Sequence, residues 1–252
     1  EPRFDELTPS GILEALGQAF FTLSVGMGAI MAYGAYLPSE ESIPGTAVAV
    51  VLADTGIAIL AALVIFPIVF ANGIDPAAGP SLVFQSLPLA FGQMAGGEFV
   101  AVIFFVLLTF AAWTSAISLM EPAVTFFIEQ LKFRRATAAL AVGGIIWLLG
   151  LLTVLSFGPW SGPEWQFLAG TIFDNLDFLT NNIMLPLGGL AIVVFAGWFM
   201  AKNSTADELD PSAGTLYSLW RFSARYIAPI AILFVLLNAT RLLPLITEYF
   251  AG

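Results

Sequence analysis

Six stretches of this chain run for twenty residues or more with almost no charge. Each is long enough to cross the roughly 30 Å hydrocarbon core of a bilayer as a helix. They are Ile12–Leu37, Thr46–Phe70, Phe99–Leu131, Ala136–Leu155, Leu176–Met200 and Ile227–Ile246. A soluble domain is roughly one quarter charged, whereas this chain of 252 residues is 10% charged and 59% apolar. An all-α membrane protein with several spans is expected. The chain contains neither Cys nor His, which excludes disulfide frameworks, thiolate chemistry, Cys- or His-bound metals and a Ser-His-Asp triad. A net charge of −10 argues against a nucleic-acid partner.

The basic residues set the expected orientation. Lys132, Arg134 and Arg135 separate the third and fourth spans, and Lys202, Arg221 and Arg225 the fifth and sixth. Those six of eight positive charges put both loops on the cytoplasmic side and both termini outside. The start, Glu1-Pro2-Arg3-Phe4, offers no initiator Met, basic n-region or signal h-region. Either a short tail is exported, or the stretch begins after an odd number of further spans. The second is the expectation, so residues 1–252 are read as a single transmembrane unit with a missing N-terminal half. The loop over 71–98, rich in Gly and Pro but holding the half-apolar Leu82–Leu87, is read as an external lid. Pro159, Trp160 and Trp165 mark an interfacial aromatic cluster.

Polar groups at membrane depth are where function is to be sought. Thr22, Ser24, Gly26 and Gly28 alternate at the midpoint of the first span. They weaken the helix there, and unwinding would free carbonyls and amides as ligands; close packing of small residues is an equal alternative. Asp54 lies inside the second span and needs a mobile cation, a proton or an Arg of the missing half to offset its charge. A protonated structural Asp is the bland reading. Ala111, Ser115, Ser118 and Leu119 share one face of the third span beside Thr114, an oxygen-donor environment suited to hard cations. Glu121 before Pro122 is expected to pack or gate, and Glu14 and Asp177 lie at outer ends of spans.

Taken together, the stretch Ala15–Ala29, Thr114-Ser115-Ala116-Ile117 with Met120-Glu121-Pro122, and Leu176-Asp177-Phe178 resemble the neurotransmitter:sodium symporter family. They are similar to its sixth helix, unwound at the centre, to its eighth, and to the start of its tenth. The resemblance implies the second half of a LeuT-type inverted-repeat transporter, helices six to eleven. It also implies roles. Thr22 and Asp54 would ligate a first Na+ alongside a substrate carboxylate, and Ala111, Thr114 and Ser115 a second. Phe21, Thr22, Ser24, Met27, Ser115 and Leu119 would line the substrate site. Phe21 and Asp177 would form the outer gate, with an Arg of the absent first helix.

Two departures matter. Family members commonly carry Asn where this chain has Asp54, and Ser or Glu where it has Ala58, so Asp54 is expected to replace chloride as the balancing charge. Met27 stands where a bulkier aromatic is found, which points to hydrophobic or aromatic substrates. The expectation is sodium-coupled amino-acid symport by alternating access, with two Na+ and no chloride requirement, in the plasma (inner) membrane. Its partners would be the amino acid, the lipid bilayer and the missing N-terminal half. The alternative is a non-transporting receptor or scaffold of the same fold. An intramembrane enzyme built on Asp54 and Glu121 is disfavoured, since the two lie on different spans with no evident nucleophile.

Overall fold

The computed structural model describes residues 7–38, 40–71, 73, 79, 82–209, 214–240 and 242. Along the chain run α1 (Pro9–Thr22), α2 (Ala29–Ala35), α3 (Ile43–Ala71), α4 (Leu82–Gly92), α5 (Gly97–Glu129), α6 (Arg135–Ser156), α7 (Ile172–Phe199), α8 (Lys202–Glu208) and α9 (Gly214–Ala239). Among the described residues five of them, α3, α5, α6, α7 and α9, are long and apolar enough to cross a membrane. The first expected span arrives in two pieces, α1 and α2. Thr8 caps α1, its Oγ1 accepting from the Gly11 amide at 3.1 Å, and Pro9 opens the helix where no N–H is needed.

The chain divides into two compact units, Glu1–Gly45 with Leu119–Gly252, and Thr46–Ser118. In the first, α7 and α9 pack along each other and α1 lies against α9. Among the residues buried there are Leu185, Pro186 and Gly189 on α7 and Ile232 and Val235 on α9. The end of α5 and the start of α6 close over Val124, Ala138 and Val142. Buried Ser156 joins α6 to α7: its hydroxyl donates to the Leu152 carbonyl at 3.0 Å and accepts from the Phe173 amide at 3.2 Å. Between them Trp160 stacks on Trp165, centroids 4.5 Å apart and planes 17° from parallel. A capping box of Thr171 and Asp174 then starts α7.

Two π turns, Phe195–Phe199 in α7 and Ser223–Ile227 in α9, meet in a reciprocal clasp. Arg225 Nε donates to the Gly197 carbonyl at 2.7 Å, and Trp198 Nε1 donates to the Arg225 carbonyl at 3.3 Å. The guanidinium also lies 5.4 Å from the Trp198 ring centroid. Here α9 starts at Gly214, well before the Ile227 suggested by hydropathy, so Arg221 and Arg225 are helical rather than loop residues. Their apolar stems pack while their charged ends find partners, Arg221 donating to the Tyr217 hydroxyl at 2.6 Å. Arg241 lies outside the described residues.

In the second unit α3 is apolar on every side, the mark of a helix surrounded by lipid or protein. Its 29 residues span about 44 Å at 1.5 Å each, longer than the hydrocarbon core, which favours tilt or projection. The half-apolar stretch of the lid loop is helical, α4, whose Leu87, Ala90 and Phe91 are buried. Phe91 packs on Phe104 with centroids 5.6 Å apart. Residues 72, 74–78, 80 and 81 of that loop lie outside the described set.

Candidate functional site

α1 stops at Thr22 for local reasons. The amides of Leu23, Ser24 and Val25 turn back to the carbonyls of Ala19, Phe21 and Phe20 at 3.0–3.1 Å. The chain then leaves the helical path, with φ of 52° at Ser24, 92° at Gly26 and 82° at Gly28. Two of those left-handed positions are glycine, where they cost little; Ser24 is the strained one. The Gly28 carbonyl accepts from the Ala32 amide and starts α2. Among the described residues the amides of Gly26, Met27 and Gly28 make no backbone hydrogen bond. The segment therefore presents polar backbone in the middle of an apolar span, usable only where it lines a cavity.

The side chains of the expected substrate site follow from this break. Phe21 and Thr22 end α1, Phe21 being 47% exposed, and Ser24 and Met27 are half-buried in the unwound segment. Leu119 is exposed on α5. Phe21 shares a cleft of about 440 Å³ with Asp177 of α7. The two residues expected to gate the site thus face one opening, whose wall also holds Glu14, Gln18, Asn182 and Asn238. The Asn181 amide donates to Asp177 Oδ1 at 2.7 Å.

In the second unit Ala111, Thr114 and Ser115 come together within about one turn of α5. Thr114 Oγ1 donates to the carbonyls of Phe110 and Ala111, both at 3.0 Å. Its single proton is engaged and its lone pairs remain acceptors. Asp54 is half-buried near the middle of α3. Among the described residues no three carboxylates gather as a metal site. The hydroxyl and carbonyl oxygens on this turn of α5 are a donor set suited to hard ions such as Na+.

Glu121 acquires partners that the sequence did not reveal. Arg135 holds it with two parallel bonds, Nη1 to Oε1 at 2.9 Å and Nη2 to Oε2 at 3.0 Å, and the Tyr36 hydroxyl donates to Oε1 at 3.1 Å. The end of the first, broken span is thereby tied to α5 and α6. Arg135 was legible only as an orientation signal; its place just beyond the short 130–134 turn after Glu121's helix was the available hint. Tyr36 gave no signal beyond lying at the end of a span.

Comparison with known proteins adds four findings. The sequence model of the Sodium:neurotransmitter symporter family matches residues 1–249. The sodium-dependent transporter YhdH of Bacillus subtilis is 37% identical over 240 residues, 94% of this chain and 53% of its own length. A sodium-dependent transporter of Haemophilus influenzae is 36% identical, over 94% of this chain and 52% of its own. The crystal structure of MhsT in complex with L-phenylalanine superposes with a TM-score of 0.85 at 44% identity, over 94% of this chain and 54% of that one. The chain spans about half the length of these relatives.

Proposed function

This chain belongs to the Sodium:neurotransmitter symporter family, and from that premise we propose that it serves the sodium-coupled symport of amino acids by alternating access. The family, the sodium-dependent relatives and the five long apolar helices support a sodium-dependent transporter of the plasma membrane rather than an enzyme. The finer reading is ours. The observation that carries it is the break at Leu23–Gly28, where backbone groups and the side chains of Phe21, Thr22, Ser24 and Met27 meet in the middle of a span.

In this reading the substrate carboxylate lies on the unwound segment and is shared with a first Na+ held by Thr22 and Asp54. A second Na+ is held by the Ala111 carbonyl and the Thr114 and Ser115 hydroxyls. Ser115 and Leu119 add to the substrate walls, while Phe21 and Asp177 close the outer side. Ion and solute then favour each other's binding, because each offsets the other's charge. The solved relative bound L-phenylalanine, and Met27 is a soft, adaptable wall; both support hydrophobic or aromatic amino acids as substrates. The relatives carry nearly as much chain again outside the matched stretch, and we assign the rest of both ion sites to that part.

The test is uptake of labelled phenylalanine by the complete transporter in proteoliposomes, with an inward sodium gradient against a potassium control. Saturable, sodium-dependent uptake, competed by leucine and tryptophan but not by glutamate or lysine, is expected. Sodium-dependent uptake of a charged amino acid alone would overturn the substrate class. No sodium-driven uptake of any amino acid would leave the receptor or scaffold reading standing instead.

A further inference from the structure

The unwound segment does not hang freely between its half-helices; it is seated on the backbone of α7. A methyl group added at Gly188 would overlap the Gly26 carbonyl oxygen. One added at Gly26 would overlap the Leu185 carbonyl oxygen and come within 2.7 Å of the Gly189 amide nitrogen. One added at Gly189 would stand 3.0 Å from Cε1 of the Phe20 ring. On the other side, a methyl at Gly28 would meet Pro122 of α5 at 3.4 Å, ordinary contact. Backbone therefore lies on backbone at one face of the segment, with no side chain between to give way. α7 is the same helix that carries Asp177, eleven residues earlier.

We propose that Gly188 and Gly189 are positioning residues: they form the seat that fixes where the backbone groups of Thr22 to Met27 stand, and so set the affinity of the site for sodium and substrate. The proposal rests on the reading that this segment holds the ligands. Neither glycine lines the cleft that Phe21 and Asp177 share. Interiors are close-packed and do not yield continuously, so a methyl at Gly188 lifts Gly26 off the seat. A shift on the order of 1 Å in a group that positions a ligand can cost up to about a hundredfold. Gly189 faces a ring that can rotate or be replaced, so its methyl should cost less.

The experiment uses the complete transporter, comparing Gly188→Ala, Gly189→Ala, the pair Gly189→Ala with Phe20→Leu, and Gly144→Ala. At Gly144 an added methyl meets nothing within 4 Å. The readouts are the sodium concentration giving half-maximal substrate binding and the melting temperature without ligand. Gly188→Ala should raise half-saturating sodium by roughly 10- to 100-fold with a melting temperature close to that of Gly144→Ala. Gly189→Ala should raise it less, and Phe20→Leu should restore it. Half-saturating sodium within twofold of the parent in Gly188→Ala, or a lowered melting temperature with sodium binding unchanged, would reduce the glycines to packing. If Gly188→Ala does not fold, the Gly189→Ala pair decides alone: no shift, or no rescue, refutes the seat.

A second measurement does not depend on transport. The chain has no Cys, so Ser24→Cys, in a parent freed of any other thiols, can be labelled alone. Its labelling rate should change with Gly188→Ala and not with Gly144→Ala; equal rates in both backgrounds would overturn the seat. An unmodified parent without sodium-dependent binding would instead count against the proposed function, whatever the labelling shows.

Discussion

Asp54 is a carboxylate in the middle of an otherwise apolar 29-residue helix, and such a group is kept only where something offsets it. If sodium does so, Asp54→Asn keeps an oxygen of similar size and removes the charge. Coulomb attraction across a few Å at moderate effective dielectric is worth on the order of 1–4 kcal/mol. Sodium affinity should fall accordingly, read as the sodium dependence of substrate binding. If Asp54 also supplies the balancing charge, uptake by the unmodified transporter should persist when gluconate replaces chloride, since Ala58 offers an anion no hydroxyl. Strong chloride dependence with Asp54→Asn silent would show the residue misassigned. At Glu121 the asymmetry lies within the pair: its side chain is 17% exposed and that of Arg135 65%. Arg135→Gln leaves a shielded carboxylate with only Tyr36, whereas Glu121→Gln leaves a guanidinium that water can reach. The first substitution should therefore lower the melting temperature of the transporter more than the second, and equal losses would contradict that.

The broken span was only half readable in advance: hydroxyls and two glycines at alternate positions of an apolar run allow unwinding or close packing equally, and the family resemblance decided between them. Other elements hide their cause elsewhere. α9 begins at Gly214 because Arg221 and Arg225 find Tyr217, Trp198 and the Gly197 carbonyl, and a hydropathy window records only two charges. The π turns leave the apolar pattern of α7 and α9 intact, so no periodicity announces them. Gly188 and Gly189 look like any small pair in a membrane helix until the Gly26 carbonyl is found upon them. The oxygen-bearing residues stood out at membrane depth, and their roles came from resemblance to a family. The break itself yields a paired test. Gly26→Ala combines a left-handed φ of 92° with overlap on α7 and should abolish substrate binding. Gly34→Ala, in helix α2 where an added methyl meets nothing within 4 Å, should raise helix stability by about 0.5–1 kcal/mol. Thermal unfolding with and without substrate separates the two; binding retained by Gly26→Ala would show that the segment is not where ligands are held.

At the scale of the molecule, cover matters more than contacts. The most apolar 18-residue windows of α3 and α5 have none of their residues buried within the chain, while α7 has 22%. Those two helices carry Asp54, Ala111, Thr114 and Ser115, so the proposed ligands lie on elements with little of this chain around them. Purified residues 1–252 in liposomes should accordingly show no saturable sodium-driven amino-acid uptake, whereas the complete transporter should; uptake by the isolated chain would mean that its own helices suffice for both ion sites. The loop between α6 and α7 offers a way to follow such a molecule at work. Two indoles stacked 4.5 Å apart and 17° from parallel have coupled electronic transitions, so Trp160 and Trp165 absorb circularly polarised light as a pair. That exciton signal belongs to neither ring alone and disappears when either is replaced by Phe. Because the rings sit between the ends of α6 and α7, its strength is a built-in optical gauge of whether those ends keep their spacing when sodium or substrate is added.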